Sequence, residues 1–362
     1  MANVLDLRRR IRSVKNTRQI TKAMKLVSAA KLRRAQERAV SARPYGTMLA
    51  SVIRSLVRRI EIYEPATGDV RHPLLLSRPE KTAALIVVSG DKGFAGAFNV
   101  NISKAAFRFI AAKSEEQIDI ETIGRKGRDL FRRRYPAATF DGAEAGEDHE
   151  QQPQRKRRGA RKGPIEVTGD HPGILDKLNF DRVAQLAGDI VDRYIHEEID
   201  AAYVVFNEFK SVISQRVVVE RILPILEIGE RDIAQSQEMD REERARAAKA
   251  AATAGVSPRG PEEDAQAKQE AEKFGTAEVD YIYEQPPPEL LDGLLRQYVT
   301  SQIYRAMVES VAAEHAARMT AMDSATNNAS DIIDSLTLTM NRVRQAAITK
   351  EIIEIVSGAA AL

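Results

Sequence analysis

Both ends of this chain are long stretches in which nothing breaks a helix. Residues 3–43 contain neither Pro nor Gly, and from Glu289 to Ser357 there is no Pro and a single Gly, Gly293. Near the N-terminus Val4, Leu7, Ile11 and Val14 recur at the spacing of an a/d seam. Ile20, Met24 and Val27 continue an apolar stripe in a shifted phase, and Leu49, Val52, Ile53, Leu56 and Ile60 resume it after Pro44 and Gly46. Residues 3–60 therefore read as one helix, interrupted or bent near Pro44. Pro286, Pro287 and Pro288 prepare a second helix start, and Gly358 is a plausible stop. Its stripes are Leu291, Leu294, Leu295, Tyr298, Ile303 and Met307, then Ile332, Leu336, Met340, Val343, Ala347 and Ile352. A helix of this length spans roughly 100 Å and cannot bury its stripe alone. Its economical partner is the helix at the other end of the chain, which makes an antiparallel coiled coil.

The middle has a different period. Residues 82–90 (TAALIVVSG), 118–124 and 165–169 read as buried strands, separated by helices over 100–113 and up to Arg134. An amphipathic helix over 179–198 precedes two strands, 201–209 and 212–225, that suit a hairpin. Alternating strand and helix predicts an α/β domain, Rossmann-like, with a largely parallel sheet. The fold class expected is thus α/β plus a long antiparallel coiled coil. Residues 1–60 and 286–362 supply the shaft helices and 75–285 the foot. Residues 143–163 and 230–275 are rich in Glu, Gln, Arg, Lys and Ala, lack apolar runs, and read as surface excursions from the foot.

Charge is unevenly placed. Residues 1–60 hold 16 Lys and Arg against two acids, Asp6 and Glu37, although the whole chain carries only +3. A nucleic-acid-binding arm, an organellar transit peptide and a helix that docks on an acidic protein surface all fit such a stretch. The long periodic helix disfavours the transit peptide. The chain has no Cys, which excludes disulfides, thiolate zinc sites and a cysteine nucleophile. No apolar run approaches about 18 residues, and no secretory leader is visible.

No catalytic centre is legible. The glycines of SGDKGFAGAFN (89–99) follow a strand and precede a helix, but Gly90, Gly93 and Gly96 match neither the dinucleotide fingerprint nor the P-loop. His72, His149, His171, His196 and His315 are scattered, without a second His at ligand spacing. Glu351 and Glu354 share a helix face, which surface solubility explains as well as acid–base chemistry does. No catalytic residue, cofactor or metal is expected.

The C-terminal ITKEIIEIVSGAAAL (348–362) resembles the signature of the gamma subunit of F-type ATP synthases. LRRRIRSVKNTRQITKAMKLVSAAKLRRAQ (7–36), SGDKGFAGAFN, IGRKG (123–127) and YEQPPPELLDGLLRQYVTSQIYRA (283–306) are similar to further segments of that family, in the same order. Ala95 stands where Cys is common. The resemblance implies a non-catalytic rotor. Its coiled-coil shaft turns inside a ring of three alpha and three beta subunits, and its foot sits with epsilon on the membrane c ring. Torque then couples ion flow to ATP synthesis or hydrolysis at the beta subunits. The implied place is the cytoplasmic face of a bacterial inner membrane. The implied contacts to the beta subunits are Met24 and Lys25 on the first helix, Asp91 and Lys92 in the glycine loop, and Arg318, Gln345, Thr349 and Glu351 on the last. Plant chloroplast relatives carry a redox-regulated insertion with a Cys pair, which this chain cannot reproduce. Segment 230–275 is expected to touch the hexamer or epsilon instead. A basic coiled-coil nucleic-acid binder is the alternative reading.

Overall fold

The computed structural model describes residues 4–59, 72–141, 157–226, 228, 232–256 and 286–360. Helix α1 (Val4–Arg59, 56 residues) and helix α6 (Pro287–Ala360, 74 residues) are the longest elements. They pair antiparallel: Arg18 meets Ser330, Thr21 meets Thr326, Lys25 meets Asp323 and Tyr45 meets Gln297. In α1 the seam is Leu7, Ile11, Val14, Arg18, Thr21, Lys25, Ser28, Leu32, Ala35 and Ala39, all buried or half-buried. Steps of four and three alternate without a break, so the first heptad phase continues through the whole coil. In α6 the facing positions are Met319, Met322, Thr326, Ala329, Ile333, Leu336, Met340 and Val343.

This corrects the expected change of phase. Ile20 and Val27 are 60% and 56% exposed, and Ile332 is 49% exposed. The inward positions between Val14 and Leu32 are polar, which hid the repeat from an apolar count. An interruption at Pro44 and a stop at Gly358 are not found. Helix α1 runs through Pro44, whose side chain is exposed, and α6 runs past Gly358 to Ala360. A proline costs one internal hydrogen bond, and the packed residues on both sides of it, Ala39 and Leu49, keep the chain helical through it.

Between the two helices lie β1 (Thr82–Val88), α2 (Phe98–Ala112), β2 (Gln117–Ile123), α3 (Arg125–Arg134), β3 (Phe140–Asp141), β4 (Arg157–Arg158) and β5 (Ile165–His171). Then follow α4 (Phe180–Ile195), β6 (Ala201–Phe209), β7 (Gln215–Leu223), β8 (Ile233–Glu238) and α5 (Arg241–Thr253). The main sheet has the order β5-β2-β1-β6-β7-β8, in which β5, β2, β1 and β6 are parallel while β7 and β8 are antiparallel. Strands β3 and β4 form a separate two-stranded ribbon.

Strand β1 is buried on both faces, as a central parallel strand must be. Ala83, Leu85 and Val87 join a core with α2 and α3; Ala84, Ile86 and Val88 join another with α4. Helix α6 serves both. Leu291 to Met307 pack into the α4 core and Ala312 to Met319 into the other, and Ser310 Oγ lies 3.4 Å from the Val88 carbonyl at the changeover.

The reading of 230–275 as a surface excursion fails for its described part. Strand β8 extends the sheet, with Val217 opposite Gln237 and Val219 opposite Gln235. Helix α5 packs on α6 and buries Ala247, Ala250 and Ala251 in the core that holds Ala312, Ala313 and Ala316. Alanine lets helices approach closely, so little apolar volume is needed for the helix to dock. Residues 143–156 and 257–275 lie outside the described residues.

Candidate functional site

The order β5-β2-β1-β6 reverses direction at β1, and the crevice beyond the strand ends at such a switch point is where doubly wound folds take ligands. Here the chain's own shaft fills it. The loop after β1 is tied to three elements. Ser89 Oγ donates to the Ile123 carbonyl at 2.8 Å and accepts from the Gly127 amide at 2.8 Å. The Gly90 amide donates to Asn99 Oδ1 at 2.8 Å. Asp91 Oδ1 accepts from the amides of Arg125 (3.0 Å) and Gly173 (2.9 Å), which holds the β2–α3 and β5–α4 turns together. A Cβ on Gly90 would stand 2.8 Å from the Glu314 carboxylate, and one on Gly124 (φ +91°) would collide with the Ser89 carbonyl, so Gly124 is required by close approach.

From α6, Arg318 Nε donates to the Gly93 carbonyl at 3.2 Å, and its guanidinium pairs with Glu314, one turn back. Lys92 pairs with Asp176 at 3.1 Å. Lys31, Asp91, Lys92, Asp176, Glu314, His315 and Arg318 thus line one small cleft where the coil leaves the foot. Burial raises the Glu314 carboxyl above its ordinary range, against the pull of Arg318. Burial also pushes His315 down to about 4, helped by the positive charges of Arg318 and Lys31. The imidazole is neutral at pH 7 and is one of the residues the sequence reading missed. Glu314 is another; its signal was the i, i+4 spacing to Arg318. Among the described residues no group of three or more His, Asp and Glu side chains is placed to hold a metal ion.

The expected contact residues fall into three places. Asp91, Lys92 and Arg318 come together in this cleft. Lys25 lies farther along the coil and is buried: its Nζ donates to Asp323 at 2.7 Å and to Thr253 at 2.6 Å, while Met24 beside it is half-buried. Gln345, Thr349 and Glu351 lie on the far end of α6, all exposed, with the Thr349 hydroxyl donating to the Gln345 carbonyl at 2.9 Å.

That far end is the most unusual surface of the molecule. Val343 is the last half-buried seam residue, facing the start of α1; from Arg344 to Ser357 every residue is exposed. Ile348, Ile352, Ile353, Ile355 and Val356 are 49–71% exposed. A helix apolar on several sides and left uncovered by the described residues of its own chain marks an interaction surface.

Residues 3–362 match the family model described as ATP synthase. The ATP synthase gamma chain of Solibacter usitatus (strain Ellin6076) is 45% identical over 100% of this chain and 99% of its own length. That of Geobacter sp. (strain M21) is 39% identical over 99% and 98%.

The chain belongs to the gamma-chain family of F-type ATP synthases.

It is a non-catalytic subunit, the rotor of the central stalk. The fold agrees. A chain in the cryo-EM structure of the Euglena gracilis mitochondrial ATP synthase (OSCP/F1/c-ring, rotational state 3) superposes with a TM-score of 0.51 at 14% identity, covering 99% of this chain and 94% of that one. A chain of the Tetrahymena thermophila mitochondrial ATP synthase central stalk and c-ring gives 0.50 at 18% identity, covering 84% and 99%. The nucleic-acid reading is set aside, because the match to the gamma family runs the length of the chain. The basic α1 is one half of a gamma shaft.

Proposed function

We propose that the coil of α1 and α6 turns inside a hexamer of alpha and beta subunits, and that the foot rides with epsilon on the membrane c ring. The observation that carries this reading is the unpaired end of α6. Residues 344–357 leave the partner helix behind and present isoleucines in several directions, as a shaft tip seated in a surrounding apolar collar requires. Rotation then changes which beta conformer packs best against the asymmetric coil, and so which affinity state each site holds.

Within this reading the expected contacts divide by exposure. Gln345, Thr349 and Glu351 are exposed and meet a beta subunit directly, and Lys92, also exposed, does so by exchanging its pairing with Asp176. Asp91, Lys25 and Arg318 are engaged inside the chain and act by setting the geometry of the loop and coil that present the others; Met24 sits beside Lys25 at the coil surface. The place of action is the cytoplasmic face of a bacterial inner membrane, held there by partners: no described helix is long and apolar enough to cross a membrane.

The test is reconstitution with the alpha–beta hexamer of the same organism. The chain lacks Cys, so a Lys104→Cys variant, labelled at an exposed position of the foot, carries a bead. Unidirectional stepping under ATP supports the reading. A folded chain that enters a folded hexamer and does not turn refutes it.

A further inference from the structure

Helix α5 does more than cover the sheet. Its buried alanines, Ala247, Ala250 and Ala251, share a core with Ala312, Ala313 and Ala316 of α6 where the coil leaves the foot. Helix α5 lies along α6 and reaches α1 at its C-terminal end. Strand β8 precedes α5 and is hydrogen-bonded into the sheet, with Arg244 paired to Glu238 at 2.7 Å across the connection. One end of the segment is therefore anchored in the foot.

The other end is fastened to the coil. Gly255, at φ +66°, ends α5 in the left-handed turn, and the Val256 amide bonds back to the Ala251 carbonyl at 3.1 Å while its side chain is buried. That cap leaves the Gly255 carbonyl accepting from Arg33 Nη2 of α1 at 2.9 Å. Two residues earlier, Thr253 Oγ1 accepts from Lys25 Nζ at 2.6 Å. The same ammonium holds Asp323 of α6 at 2.7 Å, with side chains only 9% and 13% exposed. Through one ammonium, Lys25 thus joins α1, α6 and the α5 segment.

We propose that residues 233–256 form a brace that stiffens the shaft at its base, with Lys25 as the residue that positions the brace on both helices. A two-helix coil anchored only at its lower end twists and bends freely above the anchor. A third helix tied to the sheet at one end and to the coil at the other moves the effective anchor up the shaft to the level of Lys25. Torque from the foot then enters the coil through three connections in place of two.

The experiment compares the wild-type full chain with a Thr253→Val/Arg33→Ala variant, which removes both fastening bonds and no core side chain. An Ala250→Glu variant serves as the second probe, since it drives α5 off by burying a charge. Hydrogen–deuterium exchange on the full chain reads docking directly. Protection across 247–256 is expected to fall roughly tenfold in the double variant, the size given by two lost hydrogen bonds. In the assembled complex, the angular fluctuation of a bead on the stalled rotor is expected to widen in both variants. Lost protection with an unchanged fluctuation overturns the brace, as does retained protection in the double variant. If Ala250→Glu fails to assemble, the double variant decides alone. The bead reading rests on the rotor function and the exchange reading does not, so a complex whose wild type never turns impugns that function and leaves the docking result standing.

Discussion

Arg305 of α6 holds both carboxylate oxygens of Glu220 on β7, at 2.7 and 2.8 Å, with the two side chains 14% and 6% exposed. The guanidinium also lies 5.7 Å above the Phe206 ring of β6. One guanidinium nitrogen, Nη2, reaches both oxygens, a charge-assisted bifurcated contact. It locks the lower half of the last helix to the antiparallel side of the sheet, and so sets the angle at which the shaft leaves the foot. Arg305→Met is expected to destabilise the chain by about 3 kcal/mol, because it leaves a buried carboxylate without its counter-charge. Arg305→Met/Glu220→Leu is expected to lose less than the single variant. Chemical denaturation of the four members of the cycle checks both statements, and a double variant worse than the single one contradicts them.

A second cycle concerns the polar seam. Lys25→Met is expected to cost about 2 kcal/mol, toward the lower side for a broken buried pair, since both ends keep some water. Exchanging the charges in Lys25→Asp/Asp323→Lys is expected to restore more than half of the loss. Thermal melts of the chain measure this. No recovery on exchange would mean that the pair holds the coil through shape alone.

The free end of α6 makes the opposite prediction. Ile353→Asp/Ile355→Asp is expected to change the stability of the chain by less than about 0.5 kcal/mol per site, as exposed positions do. The same change is expected to weaken entry into the alpha–beta hexamer strongly, because each buried isoleucine is worth about 1.5–3 kcal/mol. Denaturation and hexamer titration separate the two effects. A large fall in chain stability would show that the tip is packed on its own chain.

The cleft carries a pH signature. His315 has its folded value depressed to about 4, against 6.5 for a free imidazole, with Glu314, Arg318, Lys31, Lys92 and Asp176 as its charged neighbours. Between those values the unfolded chain takes up a proton that the folded chain refuses. The stabilising contribution is therefore complete above pH 6.5 and is lost as pH falls toward 4. The separation of about 2.5 units sets an upper limit of ~3 kcal/mol, reduced in practice by the partial exposure of the ring. Glu314, whose value is raised, works in the opposite sense: its burial cost is relieved as it protonates. His315→Gln is expected to flatten the decline between pH 6.5 and 4. Denaturation at several pH values tests this, and an unchanged slope would place the titration elsewhere.

The patterns that survived from sequence to structure are those that local physics controls. Freedom from Pro and Gly over residues 3–43 and 289–357 required two long helices, and their length required a coil. The run at 82–88 required a central parallel strand. The basic N-terminal stretch and the absence of Cys followed from composition alone. What failed were the inferences that assume apolar residues mark a buried face. Thr21, Lys25 and Ser28 occupy the seam while Ile20 and Val27 face outward, because Asp323 and Thr326 lie opposite to satisfy the polar atoms. Strand β8, IAQSQE, is too polar to be recognised alone and exists through the ladder it makes with β7. The alanines of α5 look like helix propensity in the sequence and become a packing face only where α6 brings alanines to meet them.

The sequence by itself therefore determined the family, the two-helix shaft and the alternating foot, since these rest on periodicity and on long runs of matching residues. Only the tertiary structure decided which face of each helix turns inward, that Lys25 joins three elements, and that residues 233–256 belong to the body of the molecule. A buried polar group or a small-residue contact acquires its stability from partners hundreds of positions away, and no local pattern encodes which partners those are.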